Sequence, residues 1–193
     1  GRIEPVNDAI LEKALMQVGA WPSDVRLAFN LSAAQISRRG ATDHLLGMLE
    51  KHGISPARLM FEIRESAVLA DLAIAKNELK DLQKAGCLTA LDDFGASHVS
   101  ISYLRDLEFD VVKLDGSLTQ NIHLCAKSRQ ILLGLVNLCH AAGARCVAEH
   151  IESEEQLALV KAMGCDMAQG FYLARPVDGG QVAGFVDEQK IVR

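Results

Sequence analysis

Six aliphatic runs in this sequence end on residues that could do chemistry: Asn30, Glu62, Asp92 with Asp93, Lys113 with Asp115, Glu149, and Gln169. Carboxylate and amide oxygens without an accompanying cluster of His or Cys suit hard cations such as Mg²⁺ or Mn²⁺ rather than zinc. The adjacent Asp92 and Asp93 could serve two such ions roughly 4 Å apart, an arrangement that activates a water and clamps a phosphoryl group during hydrolysis. Lys113 lies inside VVKLD, where an ammonium among aliphatic side chains needs a charged partner. Asp115, two residues on, shares its strand face. Each residue alone has an ordinary reading: an aspartate just past a strand caps the next turn, and a Lys and Asp pair can be structural. Six successive strands that all deliver such groups are better explained by one shared site. Adjacent residues on a strand point to opposite faces, so Asp92 and Asp93 can share it only if the strand ends there and the backbone turns.

The runs that carry these residues are VRLAFNLS (25–32), LMFEIRES (59–66), CLTALDD (87–93), DVVKLDG (110–116), RCVAEHIE (145–152) and MAQGFYL (167–173), and all read as strands. Between them, TDHLLGMLEKHG, LAIAKNELKDLQKAG, KSRQILLGLVNLCHAAG and SEEQLALVKAMG carry apolar residues at helical spacing. Each closes on a glycine, Gly53, Gly86, Gly143 or Gly164, suited to a left-handed cap. Ser153 and Gln156 have the spacing of a capping box. The opening GRIEPVNDAILEKALMQ reads as a helix with Asn7 as its cap. Apolar strands joined by helices belong in a parallel sheet covered by helices, either doubly wound or closed as a barrel. Both architectures gather ligands at the carboxyl ends of the strands, where these polar residues fall.

The 193 residues suit one domain, and 49% are apolar, enough for a core without disulfides or metal. The net charge of -5 leaves no basic stripe for duplex nucleic acid or an anionic membrane. Cys87, Cys125, Cys139, Cys146 and Cys165 are odd in number and form no C-x-x-C pair. That pattern indicates reduced core thiols, a cytoplasmic setting and no zinc site. No run is long and apolar enough to span a bilayer, although a parent protein could be membrane-anchored.

NLS, FEIRES, LDDFG, VVKLD, VAEHIE and AQGFYLARP, in this order, resemble the EAL-domain family of cyclic di-GMP phosphodiesterases from about Gly1 to about Val186. The resemblance implies an α/β fold, a TIM-like (β/α) barrel present here as an incomplete barrel of about six parallel strands in one domain over 1–193. It further implies that cyclic di-GMP is opened to linear pGpG with two Mg²⁺ or Mn²⁺ ions. Carried over by position, Asn30, Glu62 and Asp92 would bind one metal, Asp92 and Asp93 would reach the second, and Glu149 would be a further acid of the metal and water site. Lys113 would hold the attacking water or the charge developing on the phosphate, and Gln169, Asn30 and Asp93 would meet the nucleotide. Glu65, Asp115 and Glu152 match supporting positions, with Glu65 bracing the loop after Asp93 that is implicated in dimer coupling. Implied partners are cyclic di-GMP, a second copy of the chain, and further signalling domains.

The sequence departs from the family pattern in places. Ser97, His98 and Val99 replace a glycine, a tyrosine and a serine in the loop after Asp93, Arg64 replaces a threonine, and His150 replaces a glycine. Loop and supporting roles are expected for His98 and His150, not metal ligation. The family also places two strands, with the E-A-L glutamate, ahead of the position of Gly1; this stretch alone is therefore expected to hydrolyse cyclic di-GMP poorly and to self-associate. Two other readings are a receptor that binds cyclic di-GMP or a partner without cleaving it, and a TIM-type enzyme acting on a carboxylic acid with Lys113 as base.

Overall fold

Each aliphatic run forms a strand in the computed structural model, which describes residues 3–64, 71–96 and 101–191. The strands are β1 Leu27–Leu31, β2 Leu59–Arg64, β3 Leu88–Phe94, β4 Val111–Leu114, β5 Arg145–Ala148 and β6 Met167–Ala168. They pair in parallel and in chain order, β1 through β6, as one six-stranded sheet. Strictly sequential order separates the two architectures left open above, because a doubly wound sheet reverses its order at a switch point and a (β/α) barrel does not.

The helices are α1 Ile3–Val18, α2 Ala33–Ile36, α3 Ala41–Lys51, α4 Leu72–Lys84, α5 Ile101–Asp106, α6 Gly116–Thr119, α7 Ala126–Ala141, α8 Glu154–Ala162 and α9 Val182–Ile191. Gly53, Gly86, Gly143 and Gly164 all take positive φ after their helices, and the Ser153 and Gln156 capping box is present in full. Asn7 is not a cap. It lies within α1, and its Nδ2 donates to Gln35 Oε1 at 2.7 Å.

Alternation along the strands creates two apolar regions. One face, including Phe29, Leu31, Phe61, Ile63, Leu91 and Phe94, packs with α3, α4 and α7 through Leu45, Leu49, Leu79, Leu82, Leu132 and Val136. The other face forms a small separate cluster of Met60, Ala90, Val111 and Val147.

The sixth strand is shorter than MAQGFYL suggests. Only Met167 and Ala168 pair with β5, after which the chain folds over Ile151: Tyr172 N donates to Ile151 O, and Leu173 N and Ala174 N donate to Gly170 O. A Cβ on Gly170 would lie 2.1 Å from Ile151 O and 2.2 Å from Ile151 N, so the backbones touch here only because residue 170 has no side chain. Gly170→Ala is therefore expected to destabilise the fold by about 1–3 kcal/mol, read as a lower urea midpoint with an unchanged m-value.

Candidate active site at the strand ends

Counting two residues along each strand from the small apolar cluster explains the site. Met60 leads to Glu62, Ala90 to Asp92, Val111 to Lys113 and Val147 to Glu149, so the charged groups form the next layer on the same face. Asn30, the register partner of Glu62, extends the layer on β1, and its Nδ2 donates to Glu62 Oε2 at 3.4 Å. Glu62, Asp92, Lys113 and Glu149 are all buried, whereas Asn30 is exposed.

Lys113 is the hub. Its Nζ lies 2.9 Å from Glu149 Oε1, 3.0 Å from Asp92 Oδ1 and 3.1 Å from Glu62 Oε1. Burial disfavours its charge, but the hydrogen bond to Glu149 and the charge of Glu62 outweigh it, and the ammonium is held above its usual range. Burial pushes the Glu62 carboxyl up, with Lys113 pulling against it. One ammonium thus faces three buried carboxylates, a negative excess that favours a further cation. Asp115, by contrast, does not pair with Lys113. It accepts from Ser117 N at 2.9 Å as the cap of α6, so the shared strand face ends before it.

Asp92 and Asp93 come together by a route that alternation alone would not permit. β3 does not end at Asp93 but continues to Phe94, and pairing with β4 shifts between Leu91 and Phe94: three steps on β3 oppose two on β4. This is a bulge, with Asp93 in the left-handed region at φ 59. Aspartate tolerates that conformation better than most residues, and its use at a strand end re-aims the carboxylate. Carboxylate oxygens of Asp92, Asp93 and Glu149 consequently lie within 4.8 Å of one another. Arg64, largely exposed, places its Nε 3.1 Å from Asp93 Oδ2 and 3.9 Å from Asp92 Oδ2.

Gln169 follows β6 and is tied by its backbone to Ala148 O and Ile151 N. It lines a cleft with Glu149, His150, Glu152, Gly170 and Phe171. Glu152 N donates to Gln156 Oε1 at the start of α8, and no contact joins the Glu152 side chain to Lys113 among the described residues. His150 has φ 55, and its ring lies where a side chain on Gly116 would be, 2.2 Å from the Cβ that residue lacks. Glu65, Ser97, His98 and Val99 lie outside the described residues. Arg64 stood out in the sequence as a departure from the family pattern, and its contact with the aspartate pair follows from its register position opposite Asp92.

The donor set fits hard divalent cations. Asp92 Oδ1 is buried and lies in ion-pair range of Lys113 without a hydrogen bond of good geometry, and it belongs to the Asp92, Asp93 and Glu149 cluster. An all-oxygen group of this kind suits Mg²⁺, Mn²⁺ or Ca²⁺.

The EAL domain family model matches residues 1–176. Cyclic di-GMP phosphodiesterase RocR of Pseudomonas aeruginosa is 32% identical over 165 residues, covering 86% of this chain and 41% of RocR. The PaMucR phosphodiesterase in complex with c-di-GMP superposes with a TM-score of 0.84 at 28% identity, over 93% of this chain and 74% of that one. Klebsiella pneumoniae BlrP1, in a manganese and cyclic di-GMP complex at pH 6, gives a TM-score of 0.82 at 28% identity, over 90% of this chain and 45% of that one. The chain spans 22% to 41% of the length of the curated relatives it matches. Sequential parallel strands, a carboxylate layer at their carboxyl ends and a family match over most of its length lead to one conclusion: the chain belongs to the EAL domain family.

Proposed function

We propose that this chain is the module around which a larger protein builds a site that hydrolyses cyclic di-GMP to linear pGpG with two Mg²⁺ or Mn²⁺ ions. The observation that carries the reading is the buried layer in which Glu62, Asp92 and Glu149 surround Lys113, with Asp93 brought alongside by the bulge. Relatives named as cyclic di-GMP phosphodiesterases support the choice of substrate.

Asn30, Glu62 and Asp92 would hold one ion, and Asp92, Asp93 and Glu149 the other. Bound there, the pair supplies charge neutralisation at the phosphate and a water of lowered pKa. The chain's own residues do the rest. Lys113, already charged and fixed by three carboxylates, needs no reorganisation to stabilise negative charge developing beside it. Asn30 and Asp93 are assigned to contact with the nucleotide, together with Gln169, which lines a cleft with Glu149. Glu65, Asp115 and Glu152 are assigned to support, Asp115 through its cap on α6.

The same reading places the module in the cytoplasm, within a signalling protein that can pair with a second copy. Among the described residues, no helix is long and apolar enough to cross a membrane. MucR of Pseudomonas aeruginosa, 29% identical over 186 residues, is named as a bifunctional cyclase and phosphodiesterase, an instance of such an assembly. The test is product analysis with the native protein that carries this chain. Formation of pGpG that requires Mg²⁺ or Mn²⁺ and stops with chelator is expected. Tight binding without cleavage would make the protein a receptor and overturn the assignment as an enzyme.

A further inference from the structure

At the end of the barrel opposite the carboxylate layer, a second group of side chains has a different chemistry. His140 lies in the last turn of α7, Cys146 is the second residue of β5, and Cys165 and Asp166 directly precede β6. Three residues separate Cys146 from Glu149, which at the rise of a strand is roughly 10 Å. His140 Nε2 lies 2.9 Å from Asp166 Oδ2 and 3.9 Å from Cys146 Sγ, and ligand atoms of these three residues lie within 4.8 Å of one another.

We propose that His140, Cys146 and Asp166 form a second metal site, selective for a thiophilic ion of the zinc type and separate from the carboxylate layer. Tetrahedral zinc with bonds of about 2.0 to 2.3 Å holds its ligand atoms roughly 3.3 to 3.8 Å apart, and the distances of His140 Nε2 to Asp166 Oδ2 and to Cys146 Sγ reach that range by shifts of a few tenths of an ångström. The residues also have a setting that suits ligands. Cys146 N donates to Asp166 Oδ2 at 2.7 Å, fixing the carboxylate from the backbone of β5, the kind of outer contact that orients a metal ligand. Cys146 is fully buried, while His140 and Asp166 are partly exposed, which leaves an entry path. The bare alternative is a helix-terminal ion pair of His140 with Asp166, but that pair would not call for a buried sulfur beside it.

Ligand softness keeps the two sites apart: imidazole and thiolate select zinc or cobalt, and the all-oxygen layer selects Mg²⁺ or Mn²⁺. The inference does not depend on the proposed phosphodiesterase activity.

Cobalt is the probe, because absorption from thiolate to cobalt reports sulfur ligation and is silent for oxygen ligands. The reduced protein titrated with Co²⁺ is expected to develop this absorption with one equivalent. Zn²⁺ should displace it, Mg²⁺ should not, and Asp92→Asn should leave it intact. Since Cys146 is buried and its replacement could prevent folding, His140→Gln and Asp166→Asn carry the test. Each is expected to weaken cobalt binding at least about tenfold while the metal-free protein still unfolds cooperatively. Absence of thiolate absorption at stoichiometric cobalt, or absorption that both variants leave unchanged, would overturn the site.

Discussion

Lys113→Ala is expected to lower turnover of cyclic di-GMP by about a hundredfold or more while changing nucleotide affinity much less. The ammonium is fixed before the reaction by Glu62, Asp92 and Glu149, so its interaction is greatest where negative charge develops and least in the ground state. A loss in kcat with a nearly constant Kd for the nucleotide would carry that signature. The variant should also show a structural effect. Removing the one ammonium leaves three buried carboxylates facing each other, a loss of about 3–5 kcal/mol in the metal-free protein. Divalent cations should restore much of it, because they neutralise the same group. Wild-type turnover in this variant would remove Lys113 from the mechanism.

Asp92→Asn is expected to act in the opposite direction on the metal-free fold. Three carboxylates exceed one ammonium, and asparagine keeps an oxygen for Lys113 while removing one negative charge from the excess. The metal-free variant should therefore be as stable as wild type or more stable, by about 1 kcal/mol, which for a chain of this size raises the Tm by about 2–4 °C. Its activity should fall to background, since Asp92 is the carboxylate that both proposed ions share. A residue whose removal strengthens the fold and abolishes function is one retained for chemistry.

The layer of functional side chains was legible because it follows from period-two alternation. Aliphatic residues at positions 60, 90, 111 and 147 mark the face, and the polar residue two steps on must join them. The ends of four helices were legible for a similarly local reason, the glycines at 53, 86, 143 and 164. The bulge at Asp92 and Asp93 was not, because it exists only in the register of β3 against β4 and leaves no local mark beyond two adjacent aspartates. MAQGFYL misled because its composition favours a strand, while the contact of Gly170 with the Ile151 backbone is tertiary. Asn7 looked like a cap, yet α1 begins before it and its amide serves Gln35. Cysteine spacing carried no mark of the proposed metal site, since His140, Cys146 and Asp166 come from three separate segments that the order of β5 and β6 brings together.

The carboxylate layer is expected to bind divalent cations through Asp92, which is checked by titrating Mn²⁺ into the metal-free native protein that carries this chain, as wild type and as Asp92→Asn, and following heat and thermal stability together. The wild type should bind two Mn²⁺, with stabilisation of about 2.7 kcal/mol per ion when free Mn²⁺ reaches a hundred times its Kd, and the variant should lose both signals. Equal Mn²⁺ stoichiometry and affinity in the two proteins, or no Mn²⁺ binding by the wild type, would contradict it.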